Sequence, residues 1–173
     1  MAVVGLAGRF PGAEGVGEFW ENLVGGVESV RRFSPEEVGQ GDGAVAVSGV
    51  LEHVESFDAK FFGLSDREAE LMDPAQRLFL EVCHQALEHG GYAGTSGRVG
   101  VFAGSGMNLY NRQHQSRDSL ATRVAYRLGL TGPAPPAGQV DGGRVLGGVR
   151  PASADGRAGR EAEVGERAAG EHV

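Results

Sequence analysis

The chain has 173 residues, 40% of them apolar, a formal charge of −7 and a single cysteine. This length allows one domain with a real core; the acidic balance argues against a nucleic-acid surface, and one cysteine excludes an internal disulfide. No apolar run approaches the roughly 20 residues that span a bilayer, and the start of the chain lacks the basic-then-apolar order of a signal peptide, so a reducing cytoplasm is the expected location.

Among the 16 basic residues only Lys60 is lysine, and 30 residues are glycine. Arginine, glycine, alanine, valine and proline are the products of GC-rich codons, which reads as a GC-rich bacterial genome.

In chain order, Ala2–Ala7 is a short apolar run suited to a buried strand, followed by a Gly-Arg-Phe-Pro-Gly turn. Glu18–Val24 predicts a helix with Phe19, Trp20, Leu23 and Val24 on its apolar face, stopped by Gly25-Gly26. Gly39–Gly43 reads as a loop and Ala44–Leu51 as a weakly patterned strand. The stretch Phe57–Glu88 then encodes two separately capped helices. Ser65 and Glu68 form an S-x-x-E capping box, so one helix starts near Asp66. Asp73 is a second N-cap, Pro74 suits the first helical position, and Gln76 sits where a reciprocal cap would be. From there Leu78, Phe79, Val82, Cys83, Ala86 and Leu87 recur at helical period until Gly90-Gly91 ends the helix. Arg98–Ala103 reads as a buried strand and Ser119–Leu128 as a helix closing at Gly129. Alternating strands and helices predict an α/β class with a mixed or parallel sheet.

The order FD-x-x-FFG-L-S-x-x-EA-x-x-MDP-x-QR-x-x-LE between Phe57 and Glu81 is similar to the N-terminal half of β-ketoacyl synthase domains, above all those of modular type I polyketide synthases. The resemblance extends to Val3–Gly12, Phe19-Trp20, Gly97–Ser105 and Leu120–Ala134. It implies a partial thiolase-like fold over residues 1–134, in which α/β halves stack sheets between helix layers. It also implies decarboxylative Claisen condensation: an acyl group held as a thioester on a Cys, and two His assisting decarboxylation of a carrier-bound malonyl unit. The implied partners are an acyl carrier protein and a second ketosynthase subunit; no cofactor, nucleic acid or membrane is implied.

After Ala134 the character changes. Residues 135–173 contain no aromatic residue and nine glycines, with no sustained period. Such sequence cannot bury enough apolar surface to offset its ordering entropy. A disordered tail is expected, or at most a frayed helix at Arg160–Ala169. The resemblance stops at the same place. In the family a strand and a Thr-Ala-Cys-Ser-type nucleophile turn follow; here PPAGQVDGGRVLGGVRPAS follows, with no Cys. A frameshift in GC-rich DNA and a genuine short gene with a disordered tail both fit. So do a split enzyme completed by an adjacent gene and a noncatalytic module that pairs with a full-length ketosynthase.

No residue is assigned a catalytic, cofactor-binding or metal-binding role. Claisen chemistry needs an activated thiolate and an oxyanion hole, and no position matches the family's Cys or either His. Cys83, the only thiol, sits mid-helix on the apolar stripe, where a small hydrophobe belongs. His84 and His89 lack the i, i+4 spacing of a metal pair, and with His53, His114 and His172 they read as solvated surface residues. Ser105 lacks the Gly at position 103 that a nucleophile elbow requires, since Ala103 stands there. Asp73 reads as a cap. Arg77 is expected to pair with Asp73 or to support the architecture, Ala75 stands where the family usually has Gln, and Arg9 belongs to a turn.

Overall fold

The computed structural model describes residues 2–34, 37, 46–94, 98–105, 120–135, 138–139 and 145–151. The loop expected at 39–43 and the helix expected at 160–169 lie outside them. Within them the element order is α1 (Val16–Val24), β1 (Arg31–Phe33), β2 (Ala46–Ser48), α2 (Asp66–Leu71), α3 (Pro74–His89), β3 (Val99–Ser105), α4 (Leu120–Arg127), β4 (Gly138–Gln139) and β5 (Val145–Pro151).

Local chemistry sets the helix ends as the sequence predicts. Ser65 Oγ accepts from the Glu68 N–H at 3.3 Å, while Glu68 Oε2 accepts from the Ser65 N–H at 2.8 Å, which closes the capping box of α2. At α3, Asp73 Oδ1 accepts from the Ala75 N–H at 2.8 Å and Pro74 opens the helix. The reciprocal cap expected from Gln76 does not form, because its side chain turns into the protein and its Oε1 has no hydrogen-bond partner. Gly90 caps α3 through its N–H to the Ala86 carbonyl, and Gly91 takes the left-handed conformation that follows (φ 74°).

Burial selects a face of α3 shifted from the expected one. Phe79, Cys83 and Leu87 are buried as predicted, but Leu80, fully enclosed, joins them, while Leu78, Val82 and Ala86 are only half-buried. The shift follows from what α3 packs against: with Val101 of β3 and Leu120, Ala121 and Val124 of α4 it forms one core, to which Met72, Phe62 and Leu64 contribute from the preceding segment.

The sheet is mixed. β3 pairs in parallel with β4 (Gly104 opposite Gly138) and antiparallel with β5 over seven positions, from Val99 opposite Pro151 to Ser105 opposite Val145. The chain before β4 already follows β3: the Gly132 N–H donates to the Val99 carbonyl at 2.9 Å, and the Val101 N–H to the Pro133 carbonyl at 2.8 Å. This approach needs glycine, since a Cβ on Gly132 would overlap the Val99–Gly100 backbone. A separate antiparallel pair joins β1 to β2, with Arg32 opposite Val47. β2 falls within the weak strand expected at 44–51, whereas β1 was not expected.

Two expectations require correction. Residues 2–7 are not a buried strand. They are irregular, with Val3, Val4 and Leu6 exposed by 79%, 53% and 55%. A strand satisfies its backbone only beside another, and among the described residues none lies alongside. The segment instead rests on α3, where the Leu6 N–H donates to His89 Nδ1 at 3.0 Å and Gly5 abuts the Ala86 carbonyl. Second, the sequence after Ala134 is not without regular structure, since β4 and β5 lie there. The open edges of β3 satisfy backbone groups that a stretch so poor in apolar residues could not offset alone.

The Gly8–Gly12 turn forms as predicted, with Phe10 and Ala13 exchanging backbone hydrogen bonds at 3.0 Å and Gly12 at φ 69°. The helix expected at Glu18–Val24 is α1, capped by Gly25, but none of its residues is buried. Its apolar face is anchored by Phe19, whose ring stacks on Phe10 at 4.1 Å, while Trp20, Leu23 and Val24 stay exposed.

Candidate functional site

The structure gathers the chemistry-bearing side chains along α3. Cys83 lies in the core, 3% exposed, and burial pushes its thiol up to about 12. No cation or helix N-terminus offsets this, so a thiolate is essentially absent at neutral pH. The residue packs as the small hydrophobe the sequence suggests.

Of the described histidines, His84 departs from the expected solvated surface residue. His84 is half-buried, meets the Phe61 ring edge-on at 4.9 Å and places Nδ1 3.3 Å from Glu88. His89 accepts the Leu6 N–H as described above. His53 and His89 are exposed, as expected; His53 lies 3.8 Å from Glu14 and adopts a left-handed φ of 54°. His114 and His172 lie outside the described residues. His84 also borders a cavity of about 220 Å³ walled by Phe61, Phe62, Tyr92, Arg127 and Leu128. Among the described residues neither Ser nor Cys lines that cavity. Among the described residues no group of three His, Cys, Asp or Glu is placed to hold a metal ion, and no helix is long and apolar enough to cross a membrane. Ser105 ends β3, and residues beyond it to position 119 lie outside the described set.

A polar constellation sits at the head of α3. Asp73 is 3% and Gln76 8% exposed, and Arg77 and Arg9 are half-buried. Burial raises the Asp73 carboxyl above its ordinary value, against the lowering effects of the Ala75 N–H and the Arg77 charge. Glu81 is raised in the same way, opposed by the charges of Arg9 and Arg77. The expected Asp73–Arg77 ion pair does not close, for no such contact falls within 4 Å and the two interact only through space. Three side-chain atoms on this turn of α3, Asp73 Oδ2, Gln76 Oε1 and Arg77 Nε, are shielded from solvent without a hydrogen-bond partner, as is Arg9 Nε, whose Nη1 donates to the Glu14 carbonyl at 3.3 Å. Sequence reasoning singled out Asp73, Arg77 and Arg9 one by one and passed over Glu81. Its signal was the i, i+4, i+8 alternation of Asp73, Arg77 and Glu81 on one side of a helix.

Residues 1–136 match the family described as Beta-ketoacyl synthase, N-terminal domain. The polyketide synthase ThaG of Burkholderia thailandensis is 40% identical over 160 residues, covering 77% of this chain and 3% of its own length. Erythronolide synthase EryA3 of Saccharopolyspora erythraea is 38% identical over 152 residues, covering 78% and 5%. Among solved structures, the ketosynthase from module 6 of the bacillaene synthase of Bacillus subtilis 168 superposes with a TM-score of 0.63 at 34% identity, over 78% of this chain and 25% of that one. The oxazolomycin ketosynthase domain OzmH KS7 of Streptomyces albus JA3453 gives 0.63 at 32% identity, over 79% and 29%. The chain thus spans a few hundredths of the curated relatives and about a quarter of a solved ketosynthase chain, with the thiolate-deficient Cys83 inside the matched part. It belongs to the β-ketoacyl synthase N-terminal domain family, in the form found in modular polyketide synthases.

Proposed function

We propose that this chain supplies scaffold of a polyketide ketosynthase and does not carry out the condensation by itself. What supports this is the state of the one thiol. Condensation passes through a thioester on a cysteine: the acyl carbonyl carbon bonds to sulfur and the donor thiol leaves. Decarboxylation of a malonyl unit then generates the carbanion that attacks the thioester and expels the cysteine thiolate. Cys83 is enclosed in the core between α3, β3 and α4, with its thiol held up at about 12, so it can neither reach an acyl donor nor ionise for it. The half-buried imidazole of His84 is occupied by Phe61 and Glu88. In this reading the protein acts in the cytoplasm alongside an acyl carrier protein and a ketosynthase subunit, and the nucleophile and decarboxylating His come from other sequence.

The test is turnover. Purified chain is incubated with an acyl thioester and malonyl-loaded carrier protein, and the β-ketoacyl product is followed by liquid chromatography. No product above the protein-free control is expected; steady product formation would overturn the scaffold reading.

A further inference from the structure

Residues 2–7 lie across the C-terminal end of α3, and one side chain fastens them there. The Leu6 N–H donates to His89 Nδ1 at 3.0 Å, and among the described residues this is the only hydrogen bond that the segment makes. The rest of the contact is backbone against backbone. A Cβ on Gly5 would overlap the Ala86 carbonyl and the backbone of Gly90, and one on Gly90 would meet the Val4 carbonyl at 3.5 Å. Val3, Val4 and Leu6 stay exposed, so little apolar burial backs up the bond.

The acceptor decides how this contact behaves. A backbone N–H only donates, so His89 presents a bare Nδ1 and carries its ring proton on Nε2. A charged imidazole has an N–H on both nitrogens, and two donors then face each other. Imidazoles change charge between about pH 5 and 8. The other described histidines respond in the opposite sense. His84 Nδ1 lies 3.3 Å from Glu88 and His53 Nε2 3.8 Å from Glu14, so protonation turns both contacts into ion pairs.

The groups around His89 do not replace the lost bond. Residues 2–7, Ala-Val-Val-Gly-Leu-Ala, bring no ionisable side chain. On α3 the adjacent Glu88 faces His84. Arg127 of α4 is engaged by Glu68 and the Gly63 carbonyl. Beyond the helix, the ring of Tyr92 lies against Gly90.

We infer that His89 is a proton-sensitive latch: its neutral ring fastens residues 2–7 to the end of α3, and its protonation releases them. The latch is independent of the scaffold reading, since it involves no acyl chemistry.

The experiment follows the full chain, labelled with nitrogen-15, by NMR from pH 8 to pH 5. At pH 8 the His89 ring is expected to carry its proton on Nε2 with Nδ1 bare. As pH falls, the Leu6 amide signal is expected to move along the same titration curve as the His89 ring. Protection of that amide against hydrogen exchange, corrected for the intrinsic effect of pH, is expected to fall about threefold to tenfold, while that of Leu80, enclosed in the core, holds. His89→Asn places an oxygen close to where Nδ1 stands and is expected to keep Leu6 protected at every pH. His89→Phe is expected to show at pH 8 the low protection that the parent reaches at pH 5. His53→Asn is expected to leave the Leu6 curve unchanged. The latch is overturned if the neutral His89 ring carries its proton on Nδ1, if Leu6 protection is flat across the titration of His89, or if His89→Asn loses protection in acid as the parent does. The first two readings need no substitution, so a variant that fails to fold leaves the test intact.

Discussion

Asp73 and Glu68 are both N-terminal carboxylates of adjacent helices, and their surroundings push them in opposite directions. Glu68 is exposed and accepts from the Ser65 N–H and hydroxyl, so its carboxyl is held below the ordinary value of 4.5, with Arg127 helping from 3.5 Å. Asp73 is enclosed, and burial holds it above the ordinary 3.8 despite its bond from Ala75. The signs follow by linkage. The Glu68 contribution is present above pH 4.5 and is lost as pH falls through its lowered value. The Asp73 contribution is present below pH 3.8 and is lost as pH rises through its raised value, because ionisation then places an under-solvated charge in the fold. Asp73→Asn keeps a good cap and removes the titration. We expect it to be at least as stable as the parent at pH 7, and its loss of stability between pH 6 and pH 3 in urea melts to be steeper, since of the two raised carboxyls only Glu81 then remains to oppose the Glu68-type groups. A parallel pH profile for the two proteins would contradict the account of Asp73.

At the scale of elements, what was legible was whatever neighbouring residues determine. Ser65 with Glu68, Asp73 with Pro74, and Gly90 with Gly91 each act within a turn of chain, and the helices begin and end where those residues place them. The motif at 57–81 named the family for the same reason, since its signal lies in contiguous residues. Pairing of distant segments was not legible. Val3, Val4 and Leu6 have the composition of a buried strand, but a strand exists only if another lies beside it, and the sequence does not say whether one does. β5 reverses the case: Val145, Leu146 and Val149 are too diluted by glycine to announce a strand, and β3 recruits them through its open edge. In the site, the cap role of Asp73 was local and readable. The orphaned oxygens beside it were not, because burial arises from tertiary packing. The close run of Gly132 beside β3 gives this scale its test. Gly132→Ala pushes a methyl into the Val99–Gly100 backbone and is expected to cost about 1–3 kcal/mol. Gly17→Ala in α1, where a Cβ meets open space, is expected to be neutral or stabilising by about 0.5–1 kcal/mol. Equal urea midpoints for the two variants would contradict the close pairing of residues 132–133 with β3.

For the whole molecule, one observation unites the exposed and the enclosed. Trp20 at 65%, Phe61 at 61% and Tyr126 at 79% exposure, with Val3, Val4 and Leu6, leave much apolar surface in water, while α3, β3 and α4 bury a tight core whose only thiol is Cys83. Ketosynthase architecture is present in part. The central claim is that Cys83 belongs to the core and that this chain carries no acyl nucleophile. Intact-protein mass spectrometry after incubation of the folded chain with an acyl thioester at neutral pH reads this directly. The account predicts the unmodified mass alone, with an acyl adduct on Cys83 arising only after the chain is unfolded in denaturant. A stoichiometric acyl adduct on the folded chain, removed by hydroxylamine and absent from Cys83→Ala, would contradict it.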